Sequence, residues 1–365
     1  MSIVYGKTNE VPKHFDGCDF VVDIEENRKV KILQLTDMQL IDALQQRYPD
    51  RLRDDEARSW MPENFDALFG DHARSVISQT KPDLIFLTGD LVYGQFDDKG
   101  TSFQWFCSFM DSFGIPWAPV FGNHDNESTM GVAWQCQRLK NSKHCLFKRG
   151  NVSGNGNYTV GVAIGDKLQR VLYMTDSNGC KNSTDDEVLK EKGIFPDQVK
   201  YIEDTAKTIS KVQGKTVPGF MAFHIPTDIF LRANIGKGYY TEDNPLFIID
   251  VEIPGKDGDF GCCYREMHES DIIKMPQCFY DMLKANGIDG LFTGHFHRNN
   301  TVIHYDGFRL VFGLKTGQYD DHLPGQIGGT LVTLEDDDFT VQHIPALCIY
   351  GAYPGKAPMF NNFFA

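Results

Sequence analysis

Within its 365 residues the chain has no apolar run approaching the ~20 residues that a membrane span needs. Its first thirty residues hold no apolar stretch long enough for a signal-peptide core, so it reads as soluble and unexported, with a cytoplasmic location expected. No Lys/Arg cluster is dense enough to neutralise a run of phosphates, and Lys plus Arg number 36 against 50 for Asp plus Glu, a net charge of −14. A dedicated binder of duplex nucleic acid is therefore not expected. There is no CxxC pair: the nine cysteines are scattered apart from Cys262-Cys263, which argues against zinc-ribbon or thioredoxin-like chemistry and fits free thiols in a reducing compartment. No Ser- or Pro-rich linker, charge block, low-complexity run or internal repeat divides the chain. One elaborated α/β domain over residues 1–365 is expected, with its core at about 30–345.

What is present is apolar material: 41% of residues are hydrophobic, with 27 Phe and 14 Tyr, enough for a sizeable core and too much for a disordered chain. Short, partly β-branched runs at Val30–Thr36, Leu84–Thr88, Trp117–Phe121, Val171–Thr175, Gly219–Phe223 and Leu291–Thr293 read as buried strands. Phe65, Leu68, Phe69, His72, Val76 and Ile77 recur at helical spacing and stop before Lys81-Pro82; Val199, Ile202, Ala206 and Ile209 do the same after Pro196. Strands alternating with helices predict a layered α/β fold. After His297 the pattern changes to strands with little helix, Thr301–His304, Arg309–Phe312, Thr330–Leu334 and Phe339–Ile344, expected to form a hairpin or meander in a second sheet. Residues 231–270, rich in Gly, Asp and Tyr, read as an insertion or lid over one face.

The residues that follow the strands set this chain apart from a generic α/β protein. Asp37 follows the first, Gly89-Asp90 the second, Gly122-Asn123-His124-Asp125 the third, His224 the fifth and Gly294-His295-Phe296-His297 the sixth. Taken singly, each is an ordinary turn former, helix cap or polar residue at a strand end. Turns do not, however, require oxygen and imidazole donors at five strand ends, and the carboxyl ends of strands are where open α/β sheets hold their functional crevice. Asp oxygens and neutral imidazoles suit divalent Mn, Fe or Zn, and this many donors exceeds what one tetrahedral ion uses. Two ions a few Å apart lower the pKa of a water bridging them and clamp phosphate oxygens, which predicts attack by a metal-held hydroxide on a phosphate ester.

The ordered set Asp37, Gly89-Asp90, GNHD at 122–125, His224 and GHFH at 294–297 resembles the calcineurin-like metallophosphoesterase superfamily. TGDLVYG at 88–94, GNHDNEST at 122–129, GNGNYTV at 154–160, FHIP at 223–226 and GCC at 261–263 are similar to its intracellular purple-acid-phosphatase-like branch. The resemblance implies a four-layer sandwich of two mixed β-sheets flanked by α-helices. It implies that Asp90 bridges two divalent ions, that Asp37 and His297 serve the first, and that Asn123, His224 and His295 serve the second. His124 is then the substrate-contacting residue and proton donor to the leaving oxygen.

The family's first block usually reads Asp-x-His, whereas here it is Asp37-Met38-Gln39, so the first ion lacks an imidazole. Gln39 is a candidate metal or water contact through its carbonyl oxygen, or a packing residue. Tyr93, three residues past Asp90, is read as packing. Arg298 and His322 are candidate substrate contacts, His322 otherwise being an exposed loop residue. The expected activity is hydrolysis of a phosphoric ester, by a phosphatase or a phosphodiesterase. The alternatives are a nuclease of the same fold and a metal-binding scaffold of weakened activity, which Gln39 brings into consideration.

Overall fold

A computed structural model describes residues 2–24, 28–42, 45, 59–61, 64–240, 246–250, 252–264, 267–320, 322, 325–336 and 338–347. Apolar strands are placed in two sheets. The smaller has the order β15 (Phe339–Pro345), β14 (Gly328–Leu334), β3 (Lys31–Leu35), β4 (Leu84–Thr88), β5 (Trp117–Val120). Here β3, β4 and β5 run parallel, and β14 and β15 add antiparallel at one side. The larger has eight strands: β1 (Ser2–Tyr5), β2 (Phe20–Ile24), β6 (Tyr158–Ile164), β7 (Lys167–Met174), β8 (Gly219–Ala222), β11 (Ile288–Thr293), β13 (Phe308–Phe312), β12 (Val302–Tyr305). It is mixed as well: β7, β8, β11 and β13 are parallel, with β12 antiparallel at the edge. A separate hairpin pairs β9 (Leu246–Ile249) with β10 (Gly261–Tyr264).

Period-two alternation turns opposite faces of the larger sheet to two cores. Phe220, Ala222 and Phe292 pack with Ile32, Phe86, Trp117 and Val332 of the smaller sheet, whereas Met221 and Leu291 face a second core. Edge-on ring contacts lock the sheets together, Phe86 to Phe292 at 5.4 Å and Phe220 to Phe339 at 4.6 Å. Helices α1 (Phe65–Thr80), α2 (Thr101–Asp111) and α3 (Val132–Asn141) contribute to the first core. Helices α4 (Pro196–Gln213), α5 (Asp228–Lys237) and α6 (Gln277–Ala285) line the second. The result is the expected four layers: helices, sheet, sheet, helices.

The strand-rich tail differs from its expectation. The strands after His297 do not make a sheet of their own: β12 and β13 complete the larger sheet beside β11, and β14 and β15 complete the smaller beside β3. This straddling carries the connection between β13 and β14 across the rim where β3 ends. Within 231–270, residues 241–245, 251, 265 and 266 lie outside the described set; the rest supplies the end of α5 and the β9–β10 hairpin, with Cys262 and Cys263 buried in β10. Among the described residues no helix is long and apolar enough to cross a membrane.

Candidate metal centre

Strands β3, β4, β5, β8 and β11 all end at one rim, and the residues that follow them converge there. Asp37, Asp90 and His297 each offer a ligand atom, all within 4.8 Å of one another. His297 Nε2 lies 3.3 Å from Asp37 Oδ1, and His224 Nε2 lies 3.3 Å from Asp90 Oδ2. Two ligands set at right angles about one ion, each about 2.1 Å from it, stand about 3 Å apart, so these spacings fit donors that share a cation. His224 Nδ1–H donates to the Thr88 carbonyl (2.7 Å), which leaves Nε2 facing the cluster, with Asn123 Oδ1 3.0 Å from it. The His295 ring stands 5.2 Å from that of His224. Asp37 and Asp90 are each 1% exposed, and buried carboxylates among buried imidazoles call for positive charge. The donor set thus fits divalent ions.

The backbone is bent to make this convergence. Asp37, Gln39, Asp90 and His295 all adopt positive φ, from 48° to 76°, a region that side chains with a Cβ seldom enter and that persists where the surroundings impose it. Two of the glycines serve close approach rather than a turn: a Cβ on Gly122 would lie 2.2 Å from Asp90 Oδ1, and one on Gly294 would lie 2.4 Å from Asp37 Oδ2.

Electrostatics divide the groups. Burial raises the Asp37 carboxyl, but the hydrogen bond from His297 and the His224 charge outweigh it and hold the group down at about 2. Burial likewise opposes ionisation of Asp90, whose carboxyl the His224 and His124 charges hold far below the usual carboxylate range. Burial keeps the His295 imidazole neutral, down at about 3. For His124 the desolvation cost is overcome by Asp90 and by the Glu127 hydrogen bond, and its pKa rises to about 9. Its Nδ1 lies 2.8 Å from Glu127 Oε2, its backbone N–H donates to Asp90 Oδ1 (2.9 Å), and its ring stands edge-on to Tyr93 at 5.0 Å.

Gln39 takes the position next to this cluster in an unexpected orientation. Its carbonyl oxygen accepts a hydrogen bond from the Lys315 ammonium (2.6 Å), and its amide nitrogen faces Asp90 Oδ2 and Asp320 Oδ2, each at 3.5 Å. The oxygen considered as a metal or water contact thus accepts from Lys315. Tyr93 packs on Phe96 as well as on His124, in keeping with a packing role. Arg298 lies with its guanidinium 4.6 Å above the Tyr264 ring. His322 is 7% exposed rather than solvated, with Nδ1 3.0 Å from the Asp320 carbonyl. Glu127, Lys315 and Asp320 were not singled out from sequence. Glu127 alone had a local signal, three residues beyond His124 within GNHDNEST.

The loop carrying His124 is braced from behind by Asp97. Ser128 Oγ donates to Asp97 Oδ2 (2.8 Å), while Asp97 Oδ1 is buried with no hydrogen-bond partner. Burial, with Ser128 opposing it, pushes the Asp97 carboxyl up to about 6. A carboxyl raised above its unfolded value of about 3.9 subtracts stability as pH rises from that value through about 6, and the loss is complete above it. Asp97→Asn is therefore expected to leave the melting temperature unchanged at pH 4 and to raise it at pH 7.5, by up to about 3 kcal/mol of stability. Melts followed by circular dichroism across that range check this; an equal effect at both pH values would remove ionisation as the cause.

Residues 30–299 match the family model for calcineurin-like phosphoesterases, and the chain belongs to that family. Among curated relatives, the probable inactive purple acid phosphatase 14 of Arabidopsis thaliana is 25% identical over 275 residues, covering 69% of this chain and 62% of that protein. Phosphatase DCR2 of Saccharomyces cerevisiae is 31% identical over 186 residues, 47% of this chain and 31% of that protein. The chain thus spans less than two thirds of the length of either. A crystal structure of a dimetal phosphatase from Danio rerio superposes over 87% of this chain and 96% of its own with a TM-score of 0.50 at 10% identity, a likeness of fold.

Proposed function

We propose that the chain is a metal-dependent phosphoesterase acting on a phosphate ester at a dinuclear centre. The observation that carries this reading is the convergence of Asp37, Asp90 and His297 within 4.8 Å, brought by the ends of strands from both sheets. Two divalent ions, of Mn, Fe or Zn, would be held by Asp37, Asp90 and His297 on one side and by Asp90, Asn123, His224 and His295 on the other. When bound, they supply a water acidified toward neutral pH and positive charge against the phosphate oxygens.

In the reaction, water adds to phosphorus, the bond from phosphorus to the leaving oxygen breaks, and that oxygen needs a proton. His124 is the group that supplies it. The Glu127 carboxylate holds Nδ1–H, so the proton on Nε2 is the one to be passed, and Asn182 steadies Glu127 through a hydrogen bond of 2.8 Å to its other oxygen. Arg298 and His322 are proposed to meet the substrate.

The test is hydrolysis of p-nitrophenyl phosphate and of its bis-ester by chelator-stripped protein with Mn, Fe, Zn or Mg returned. Metal-dependent turnover supports the proposal, and the preferred ester separates phosphatase from phosphodiesterase or nuclease action. The second reading, a metal-binding scaffold of weakened activity, has a specific observation behind it: the Gln39 oxygen is turned to Lys315, and the Arabidopsis relative is named inactive. Metal uptake without hydrolysis of either ester would decide for the scaffold.

A further inference from the structure

Alternation along β3 puts Gln34 on the same face as Ile32, the face that packs against the larger sheet, and its side chain is fully buried there. Its amide nitrogen donates twice. One hydrogen bond goes to Thr88 Oγ1 of β4 in the smaller sheet (2.9 Å), and the other crosses the interface to the Thr293 carbonyl of β11 in the larger sheet (3.0 Å). Thr88 and Thr293 end the strands from which ligands spring: Gly89-Asp90 follows the one and Gly294-His295 the other. Both also hold His224, since the Thr88 carbonyl accepts from its Nδ1–H (2.7 Å) and Thr293 Oγ1 donates to its carbonyl. We propose that Gln34 is a positioning residue of the metal centre: its amide ties the two sheets together at the end where Asp37 and Asp90 of the smaller must meet His224, His295 and His297 of the larger. The inference rests on the metal centre of the phosphoesterase reading.

Packing alone does not call for an amide at this position. Gln34 Oε1 is buried with no hydrogen-bond partner among the described residues, which costs stability. The amide also needs room that the chain leaves for it: a Cβ on Gly313 would lie 2.6 Å from Gln34 Nε2. A methionine would fill the same length without an unpaired oxygen, and the Thr293 carbonyl would still accept from Gly313 N (2.9 Å). What an apolar side chain cannot supply is the pair of N–H groups that holds β4 and β11 at one separation. Ligands delivered by two different sheets are spaced only as exactly as the seam between those sheets, and groups behind the ligands are what fix such spacing.

The experiment compares the chelator-stripped full chain as wild type, Gln34→Met, Thr88→Val and the double variant. Thr88→Val removes the hydroxyl that accepts from Gln34 and keeps the carbonyl that orients His224, so it loosens the same tie from its other end and tests the proposal even where Gln34→Met folds poorly. Melting without metal, calorimetric Mn²⁺ titration, and EPR of the Mn²⁺-loaded chain, whose spin coupling reports the separation of two ions, are the readouts. Gln34→Met is expected to melt no lower than wild type without metal, to bind Mn²⁺ ~10-fold more weakly and to change the spin coupling. On p-nitrophenyl phosphate its kcat should fall with KM little changed. Thr88→Val should shift affinity and coupling in the same direction, and the double variant should be no worse than the worse single one, because both remove one link. Wild-type Mn²⁺ affinity and coupling in Gln34→Met would overturn the role of Gln34 alone. So would a lowered melting temperature with both unchanged, which marks a packing residue, and so would fully additive losses in the double variant. A wild-type chain that takes up fewer than two Mn²⁺ would overturn the dinuclear centre itself and this role with it.

Discussion

Asp90→Asn is expected to lower metal affinity by more than ~100-fold and, with it, to abolish hydrolysis of both nitrophenyl esters. Asp90 contributes the carboxylate proposed to serve both ions, with His224 Nε2 3.3 Å from Oδ2 and the His124 backbone N–H bonded to Oδ1 at 2.9 Å. Asn has the same shape, so it fits beside Gly122, where no Cβ is tolerated, and its oxygen can still accept the His124 N–H. What the substitution removes is the negative charge and one oxygen donor, and a neutral amide is a poor bridge between two cations. Elemental analysis and Mn²⁺ titration measure the outcome, with the melting temperature as the control for folding. Retention of one full equivalent would show that Asp90 serves a single ion, and retention of two would remove it from the centre.

His124→Gln is expected to keep the metals and to lose ~10²- to 10⁴-fold in turnover on an alkyl phosphate, the range for proton donation in the transition state. The loss should shrink for p-nitrophenyl phosphate, because nitrophenolate leaves without needing a proton. Turnover of a series of esters graded by leaving-group pKa measures this as a slope that steepens in the variant. An equal loss across the series would make His124 a binding residue. The ring's setting bears on the result: Glu127, its side chain 5% exposed, keeps Nδ1 occupied at 2.8 Å, so Nε2, the proposed proton donor, is held in one orientation.

Much of this fold was legible in the sequence because its signals are local. The runs at 84–88 and 117–121 are apolar on both faces, as strands buried between layers must be, and each ends at a Gly followed by a metal-binding residue type. The helix Phe65–Thr80 stops where Lys81 takes a left-handed conformation before Pro82. The helix Thr101–Asp111 was harder to see. Phe103, Phe106, Cys107 and Met110 have core spacing, but Trp105 and Phe109 stack on each other at 4.8 Å beside them, so aromatic residues fill more than one face and blur the period. The division of the tail between two sheets left no trace in any window, since strand order is decided by pairing between segments far apart in the chain.

At the site, the residue types at the strand ends were determined by the sequence alone: oxygen and imidazole donors after five strands imply convergence whatever the loops between them do. Gln39 shows where that reach stops. Its amide can present oxygen or nitrogen with equal ease, and the choice is made by Lys315, 276 residues away, whose ammonium takes the oxygen. Asp320 is the same case in reverse, an acidic residue two before the candidate His322 in a turn-rich segment, brought beside His297 because the β13–β14 connection hydrogen-bonds along residues 36 and 37. A side chain's chemistry is a property of its own atoms and can be read in one dimension. Which of its atoms faces an ion depends on hydrogen bonds from segments that only the packed sheets bring together.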